Sequence, residues 1–402
     1  MVQLSSDCFA FGGSVLSLSQ AQTALRIAAK PILAPSELCN LDKLAGRVLS
    51  KDVFASRDVP PFNNSAVDGY AFAAGSDLSR GIIGTVSAGD EIPAQTLSKN
   101  SAMRILTGAP LPSGADTVMM DEDAIIEDNQ LAMHAKLGIG SNVRPKGEDI
   151  TKDEKLYQKG HLVTALDVAR LAAGGVRNAE VIRPLKIHVM SSGDEIINDQ
   201  IIDANRWIIK AVFPESCFEL SYGATIADDH DSAVRALKGI DADIVLTSGG
   251  VSVGERDFVR GAIEHIGKLE FWRVGIKPGR PVAFGRLNKK CAVFGLPGNP
   301  VACFVTALFL ARPFALAMLD AQSTIVTLSA PLAQEYRKKG NRTEFLRVMI
   351  DEHGSAHPYH IAGAGVISSI AQAHALAILS EELTLISEGS TVPILPLRGL
   401  VK

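Results

Sequence analysis

The 402-residue chain has few cysteines and no arrangement of them that suggests a cross-link: Cys8, Cys39, Cys217, Cys291 and Cys303 are odd in number, widely spaced and free of any CxxC pair. That argues against a disulfide framework or a zinc site of ordinary ligand spacing and fits a reducing cytoplasm. None of the nine histidines has metal-ligand spacing, and His353, His357 and His360 read as a polar loop. An excess of positive charge is missing too. The formal net charge of −4 argues against nucleic acid as a main partner, because phosphate-backbone binding needs a basic face. No uninterrupted membrane span is present: the most apolar stretch, residues 301–319, is broken by Arg312 and Pro313 and reads as a buried helix ending near Pro313. Residues 9–18 are mildly apolar but follow no basic segment, so no signal peptide is expected. Repeats, heptads and low-complexity tracts are absent. The expectation is a soluble cytoplasmic protein with no membrane partner.

With 47% hydrophobic and 21% charged residues the chain reads as globular, and its length suggests roughly two to four domains. Residues 15–49 carry helical spacing through Ala24, Leu25, Ile27 and Ala28, with a second helix around 41–49. From 52 to about 143 short apolar runs alternate with Gly, Pro, Ser and Asp, the texture of a β-rich module. Helical pattern returns at 165–174. The expected organisation is a discontinuous helical subdomain (1–50 and 143–180) carrying an inserted β-rich subdomain (51–142). An α/β domain follows at 181–323, where runs at 187–190, 204–212, 224–226, 232–237, 244–247, 257–265, 293–294 and 301–311 alternate strand and helix. That alternation predicts a parallel sheet with ligands at its strand ends. A small C-terminal β-barrel-like domain occupies 324–402, with strands such as 325–328 and 345–350.

Two strand-to-loop-to-helix segments stand out, IVLTSGGVSVGERD at 244–257 and VFGLPGNPVACF at 293–304. In each an apolar run stops at small residues just before a helix can start, which aims backbone N–H groups at one spot suited to an anion. Ser248, Gly249 and Gly250 in one loop, and Pro297, Gly298, Asn299 and Pro300 in the other, are the candidate binding residues for a phosphorylated ligand. The alternative for either loop alone is an ordinary βα turn. Acids near these loops, Glu195 and Asp257, are oxygen ligands of the kind that suits Mg²⁺, or else helix caps.

Both segments resemble the molybdopterin molybdenumtransferases, the family of MoeA and the gephyrin E domain. Six more stretches match in the family's order: PPFNNSAVDGYAF at 60–72, RILTGAPLPSGADTVMM at 104–120, RPKGEDI at 144–150, HVMSSGDEI at 188–196, VGIKPGRPVAFG at 274–285 and GNRTEFLRV at 340–348. The resemblance implies insertion of molybdate into adenylylated molybdopterin with release of AMP. It implies Mg²⁺ or another divalent cation on Glu195 and Asp257, and molybdate held by Lys277, Arg280 and Arg342. Asp68 and Thr107, beside glycines in DGY and TGAP, would reach the α/β domain of a second subunit in a homodimer. There Asp68 orients substrate or assists proton transfer and Thr107 donates a hydroxyl, unless both are simply turn residues. Asp149 in KGEDI reads as a turn or supporting acid. No adenylyltransferase domain precedes residue 15, so a separate molybdopterin adenylyltransferase is the expected partner.

The chain departs from the family pattern at four places. Asn63 stands where an acid is usual, Pro214 interrupts the helix beginning near Asn205, and the connection from Ile196 to Asp203 is short. Ala364, in AGAGVISSI, replaces a serine whose hydroxyl can help hold the oxyanion. Arg280 stays within the family's Lys-or-Arg pattern, although lysine is frequent there and arginine, keeping the charge, changes donor geometry. These departures leave an alternative open, a catalytically impaired pterin-binding or scaffold paralogue.

Overall fold

The computed structural model describes residues 15–29, 36–75, 79–132, 137–251, 258–288, 291–321 and 325–397. A six-stranded sheet in the order Phe218–Tyr222, Leu185–Ser191, Ile244–Ser248, Ala292–Leu296, Pro281–Arg286, Lys268–Arg273 organises the α/β part. Its first four strands are parallel. Ile244–Ser248 and Ala292–Leu296 are buried throughout, with alternate residues feeding cores on the two faces. The last two strands are antiparallel, which corrects the all-parallel expectation. The links at 274–280 and 287–291 are too short for the crossover that parallel pairing requires. The edge strand is Phe218–Tyr222 rather than 224–226, because Phe218 and Leu220 supply the apolar side that the core takes up.

The helix after the second loop, Pro300–Met318, is long and apolar enough to cross a membrane, yet it is buried inside the molecule. It runs past Pro313 instead of ending there. A π turn at Ala307–Ala311 precedes the proline, and the carbonyl of Phe309, four residues before it, accepts 3.1 Å from Gln22 Nε2. An outside donor thus serves the carbonyl that a prolyl nitrogen cannot. Gln22 belongs to the helix Leu18–Ala28, which Ser17 and Gln20 start with a capping box. That helix buries Ala21 and Leu25 in the same core as the α/β sheet.

The expected helical subdomain is mostly strands and turns. Residues 41–49 contain a single 3₁₀ turn, Leu41–Lys43, because Gly46 adopts φ +80° and a Cβ there would lie 2.8 Å from Ser216 N. The preceding strand Ser36–Asn40 pairs with Asn178–Ile182, and Ala165–Ala173 is the helix of the returning segment. Leu44, Leu49, Ile150, Leu171 and Val181 form the local core. The β-rich module has its own six-stranded sheet, from Thr117–Met120 at one edge to Ile125–Glu127 at the other. Asn63 keeps an acceptor where the family has an acid, taking the Lys146 amide at 2.8 Å.

In the C-terminal part the order is Ile276–Lys277, Thr343–Ile350, Ala375–Leu379, Thr391–Pro396, Leu328–Pro331, with Ala356–Pro358 also on Thr343–Ile350. A bridge from Leu332 to Ala356, with Ala333 N donating to Ala356 O at 2.9 Å, joins the ends into a barrel-like ring. The strands start at Leu328 and Thr343, not at 325 and 345. Ile276–Lys277 comes from the α/β part and sets Lys277 opposite Glu344 in parallel register.

Candidate functional site

The carboxyl ends of Leu185–Ser191, Ile244–Ser248 and Ala292–Leu296 open into a cavity of about 610 Å³. Ser248, Gly249, Gly250, Pro297, Gly298, Asn299, Pro300 and Glu195 all line it. Asp257 lies outside the described residues. Gly249 and Gly250 are dictated by the fold: they have φ +96° and +66°, and added Cβ atoms would lie 2.6 Å from Ser192 O and from Val259 Cγ2. Gly298 is different, for a Cβ there meets only Gly249 Cα at 3.6 Å, an ordinary contact. The amides of Gly250, Gly298 and Asn299 donate to no described residue, and Asn299 does not cap its helix with its side chain. One donor of the helix is already used, since Val301 N donates to Ala364 O at 2.9 Å.

Three wall residues escaped the sequence reading. Asn205, buried at the start of Asn205–Val212, donates through Nδ2 to Ser248 Oγ at 2.7 Å and to Gly298 O at 2.6 Å, tying the two loops together. Its Oδ1 is buried without a partner. Asp203 accepts from Ser191 Oγ and pairs with Arg206 at 3.5 Å, while Asp228 accepts from Ser192 Oγ at 3.3 Å. The only sequence signal was the spacing Asp203-x-Asn205 before an amphipathic run, which reads as a helix start. With Glu195 these acids give an all-oxygen donor set. No group of three or more acidic, His or Cys side chains is poised to hold a metal ion among the described residues. So few protein ligands would fit a hard cation such as Mg²⁺ only if waters or ligand oxygens complete its shell, as that ion commonly allows.

A second cavity, of about 350 Å³, adjoins the first through Pro281, Pro297 and Asn299. It collects Lys277, Arg280, Arg342 and Ala364, and also Arg347, Tyr336 and Glu344, which the sequence reading did not single out. Lys277 Nζ and Tyr336 OH both donate to Glu344 Oε1, at 2.7 and 2.8 Å. Arg347 is buried and ties Gly363 O to Ser369 Oγ, in the short helix Ser368–Gln372, at 3.2 Å each. Lys338 is buried under the Arg342 loop with Nζ 2.6 Å from Arg342 O, and burial pulls its ammonium below the usual lysine range.

Asp68 and Thr107 line neither cavity. They bind each other: Asp68 Oδ1 accepts from Thr107 Oγ1 at 2.7 Å and from its amide at 2.6 Å, and these bonds hold the carboxyl below the usual range. At neutral pH Asp68 is therefore an acceptor and not a proton donor. Asp149 is exposed, with its amide on Val59 O. His357 lies not in a loop but in the strand Ala356–Pro358, where the register of that strand on Thr343–Ile350 places it, and it pairs with Asp351 at 2.8 Å. Cys39, Cys217, Cys291 and Cys303 are free and buried; burial raises Cys217 and Cys303 to about 12 and Cys291 to about 11, so none is a thiolate nucleophile.

Three family models match consecutive parts of the chain: the MoeA N-terminal region (domains I and II) over 16–175, a probable molybdopterin binding domain over 188–317, and the MoeA C-terminal region (domain IV) over 329–397. A molybdopterin molybdenumtransferase of Haemophilus influenzae is 33% identical over 96% of this chain and 100% of its own length. One from Synechococcus elongatus is 28% identical over 94% and 99%. The crystal structure of the molybdopterin biosynthesis MoeA protein of Pyrococcus horikoshii aligns with a TM-score of 0.79 at 25% identity, over 95% of this chain and 99% of that one.

Proposed function

The chain belongs to the MoeA family of molybdopterin molybdenumtransferases of molybdenum cofactor biosynthesis, and we propose that it inserts molybdate into adenylylated molybdopterin, releasing AMP, with the two adjoining cavities acting as one site. The observation that carries this reading is their shared wall of Pro281, Pro297 and Asn299, with acids, and amides that donate to no described residue, on one side and converging cations on the other. Such a division suits a ligand with phosphates at one end and a separate tetrahedral dianion at the other. The test is conversion of adenylylated molybdopterin with molybdate and Mg²⁺ by the purified protein, read as AMP release. No AMP above the protein-free control overturns the proposal.

Each residue then has a task. The amides of Gly250, Gly298 and Asn299 donate to the phosphates, in loops that Asn205 holds at fixed spacing. Lys277, Arg280 and Arg342 neutralise and orient molybdate. Glu195, with Asp257, would hold Mg²⁺ or another divalent cation, which when bound neutralises the phosphoanhydride and favours departure of AMP. Glu195 is exposed on the cavity wall, so Glu195→Ala is expected to lower metal-dependent AMP release at least about tenfold while the melting temperature stays unchanged. Normal turnover by the variant would remove Glu195 from the cation site.

Asp68 and Thr107 lie in the inserted module, away from both cavities of their own chain. In this reading they serve the site of a second copy, and the working form is a homodimer. Light scattering at micromolar concentration is expected to give twice the chain mass; a fully active monomer contradicts it. A separate adenylyltransferase supplies the substrate, and the buried free thiols suit the cytoplasm.

Ala364 lies on the oxyanion cavity wall. Ala364→Ser adds a donor there, and a hydrogen bond to a charged group contributes about 1.5–3 kcal/mol, so molybdate binding is expected to tighten about tenfold or more. Molybdate titration of parent and variant checks this. An unchanged dissociation constant means that the residue does not face the oxyanion or that an ordered water already fills the gap. Binding that appears only in the variant favours the impaired-paralogue reading.

A further inference from the structure

Among the cations of the second cavity sits one carboxylate whose presence neutralisation alone does not explain. Glu344 is 4% exposed and lines that cavity. Its Oε1 is saturated by Lys277 Nζ and Tyr336 OH, whereas Oε2 is buried and has no hydrogen-bond partner. The charged and titratable groups around it are Lys277 and Arg280 from one loop, Tyr336 and Lys338 from the 336–338 segment, and Arg342 and Arg347 on and beside its own strand. An anion site gains nothing from a buried carboxylate oxygen without a donor, since it repels any bare oxygen brought near it. A ligand that carries its own O–H removes that conflict.

We propose that Glu344 is a specificity-determining residue: its free Oε2 shares a proton with one oxygen of the incoming oxyanion, so the cavity takes up molybdate together with one proton and disfavours sulfate. This rests on the reading of the cavity as the molybdate site. Both anions are tetrahedral dianions, but molybdate accepts a proton much more readily than sulfate. A site built around one acceptor therefore separates two ligands that charge and shape barely distinguish.

The experiment is calorimetric titration of the full-length protein at pH 7 with sodium molybdate and with sodium sulfate, in two buffers of different ionisation enthalpy. The expected result is uptake of one proton per molybdate bound and sulfate binding at least about tenfold weaker. Glu344→Gln keeps an acceptor for Lys277 and Tyr336 and puts an amide donor in the place of Oε2. Molybdate is then expected to bind without proton uptake, and sulfate to bind about tenfold more tightly than to the parent. Molybdate binding to the parent without proton uptake, or an unchanged molybdate-to-sulfate ratio in Glu344→Gln, overturns the inference alone. A parent that binds neither anion overturns both this and the oxyanion reading of the cavity. If Glu344→Gln fails to fold, proton uptake by the parent decides the matter.

Discussion

Gly298→Ala is expected to fold as stably as the parent and to bind adenylylated molybdopterin at least about tenfold more weakly, since blocking even one charge-assisted hydrogen bond loses about 1.5–3 kcal/mol. The structure leaves room for the methyl, because the nearest atom to a Cβ is Gly249 Cα at 3.6 Å and the backbone at 298 is not left-handed. The methyl would stand without a clash on the cavity wall, beside the amides of Gly298 and Asn299, which donate to no described residue. Gly249→Ala is the control with the opposite outcome. There φ is +96° and the Cβ would meet Ser192 O at 2.6 Å, so a loss of about 1–3 kcal/mol in stability is expected as well. Thermal melting and substrate titration of the two variants separate a glycine that serves the ligand from one that serves the fold. If Gly298→Ala binds like the parent, the phosphates do not lie against this loop.

The parts of the site legible in the sequence are those encoded locally. A strand that stops at SGG or PGNP and a helix that starts at Pro300 are written in consecutive residues, and all seven loop residues meet in one cavity. The cations Lys277, Arg280 and Arg342 also converge, although the pattern that pointed to them came from the family resemblance and not from spacing. Glu344 and Asn205 were invisible for a different reason. Glu344 matters because the register Lys277↔Glu344 joins the α/β part to the C-terminal barrel, and Asn205 because it bonds residues 43 and 93 positions away. Nothing in a linear pattern announces a side chain whose role is set by a partner in another unit. The same limit explains the errors in the fold. Helical periodicity at 41–49 was real, but a left-handed Gly46 packed on Ser216 ended it, and Pro313 failed to stop its helix because Gln22, almost 300 residues earlier, serves the carbonyl it strands.

Lys277→Met is expected to damage both stability and function, by two routes that a second substitution can separate. Lys277 is about one-third exposed, but its partner Glu344 is nearly inaccessible. Removing the ammonium leaves a buried carboxylate with Tyr336 as its one remaining donor among the described residues. Breaking a fully buried pair costs about 3–5 kcal/mol; with one end partly solvated, about 2–3 kcal/mol is expected here. Molybdate binding should fall with it, because a converging cation is gone and the unpaired carboxylate repels the dianion. Adding Glu344→Gln removes the stranded charge, so most of the lost stability should return, leaving a deficit below about 1 kcal/mol relative to the parent. Molybdate binding should improve over the single variant but stay weaker than in the parent, since Lys277 itself is still missing. Urea unfolding of the parent, both single variants and the double variant closes the cycle. If the double variant is as unstable as the sum of the single ones, Lys277 and Glu344 are not coupled, and the carboxylate stays in the cavity wall for some reason other than the lysine opposite it.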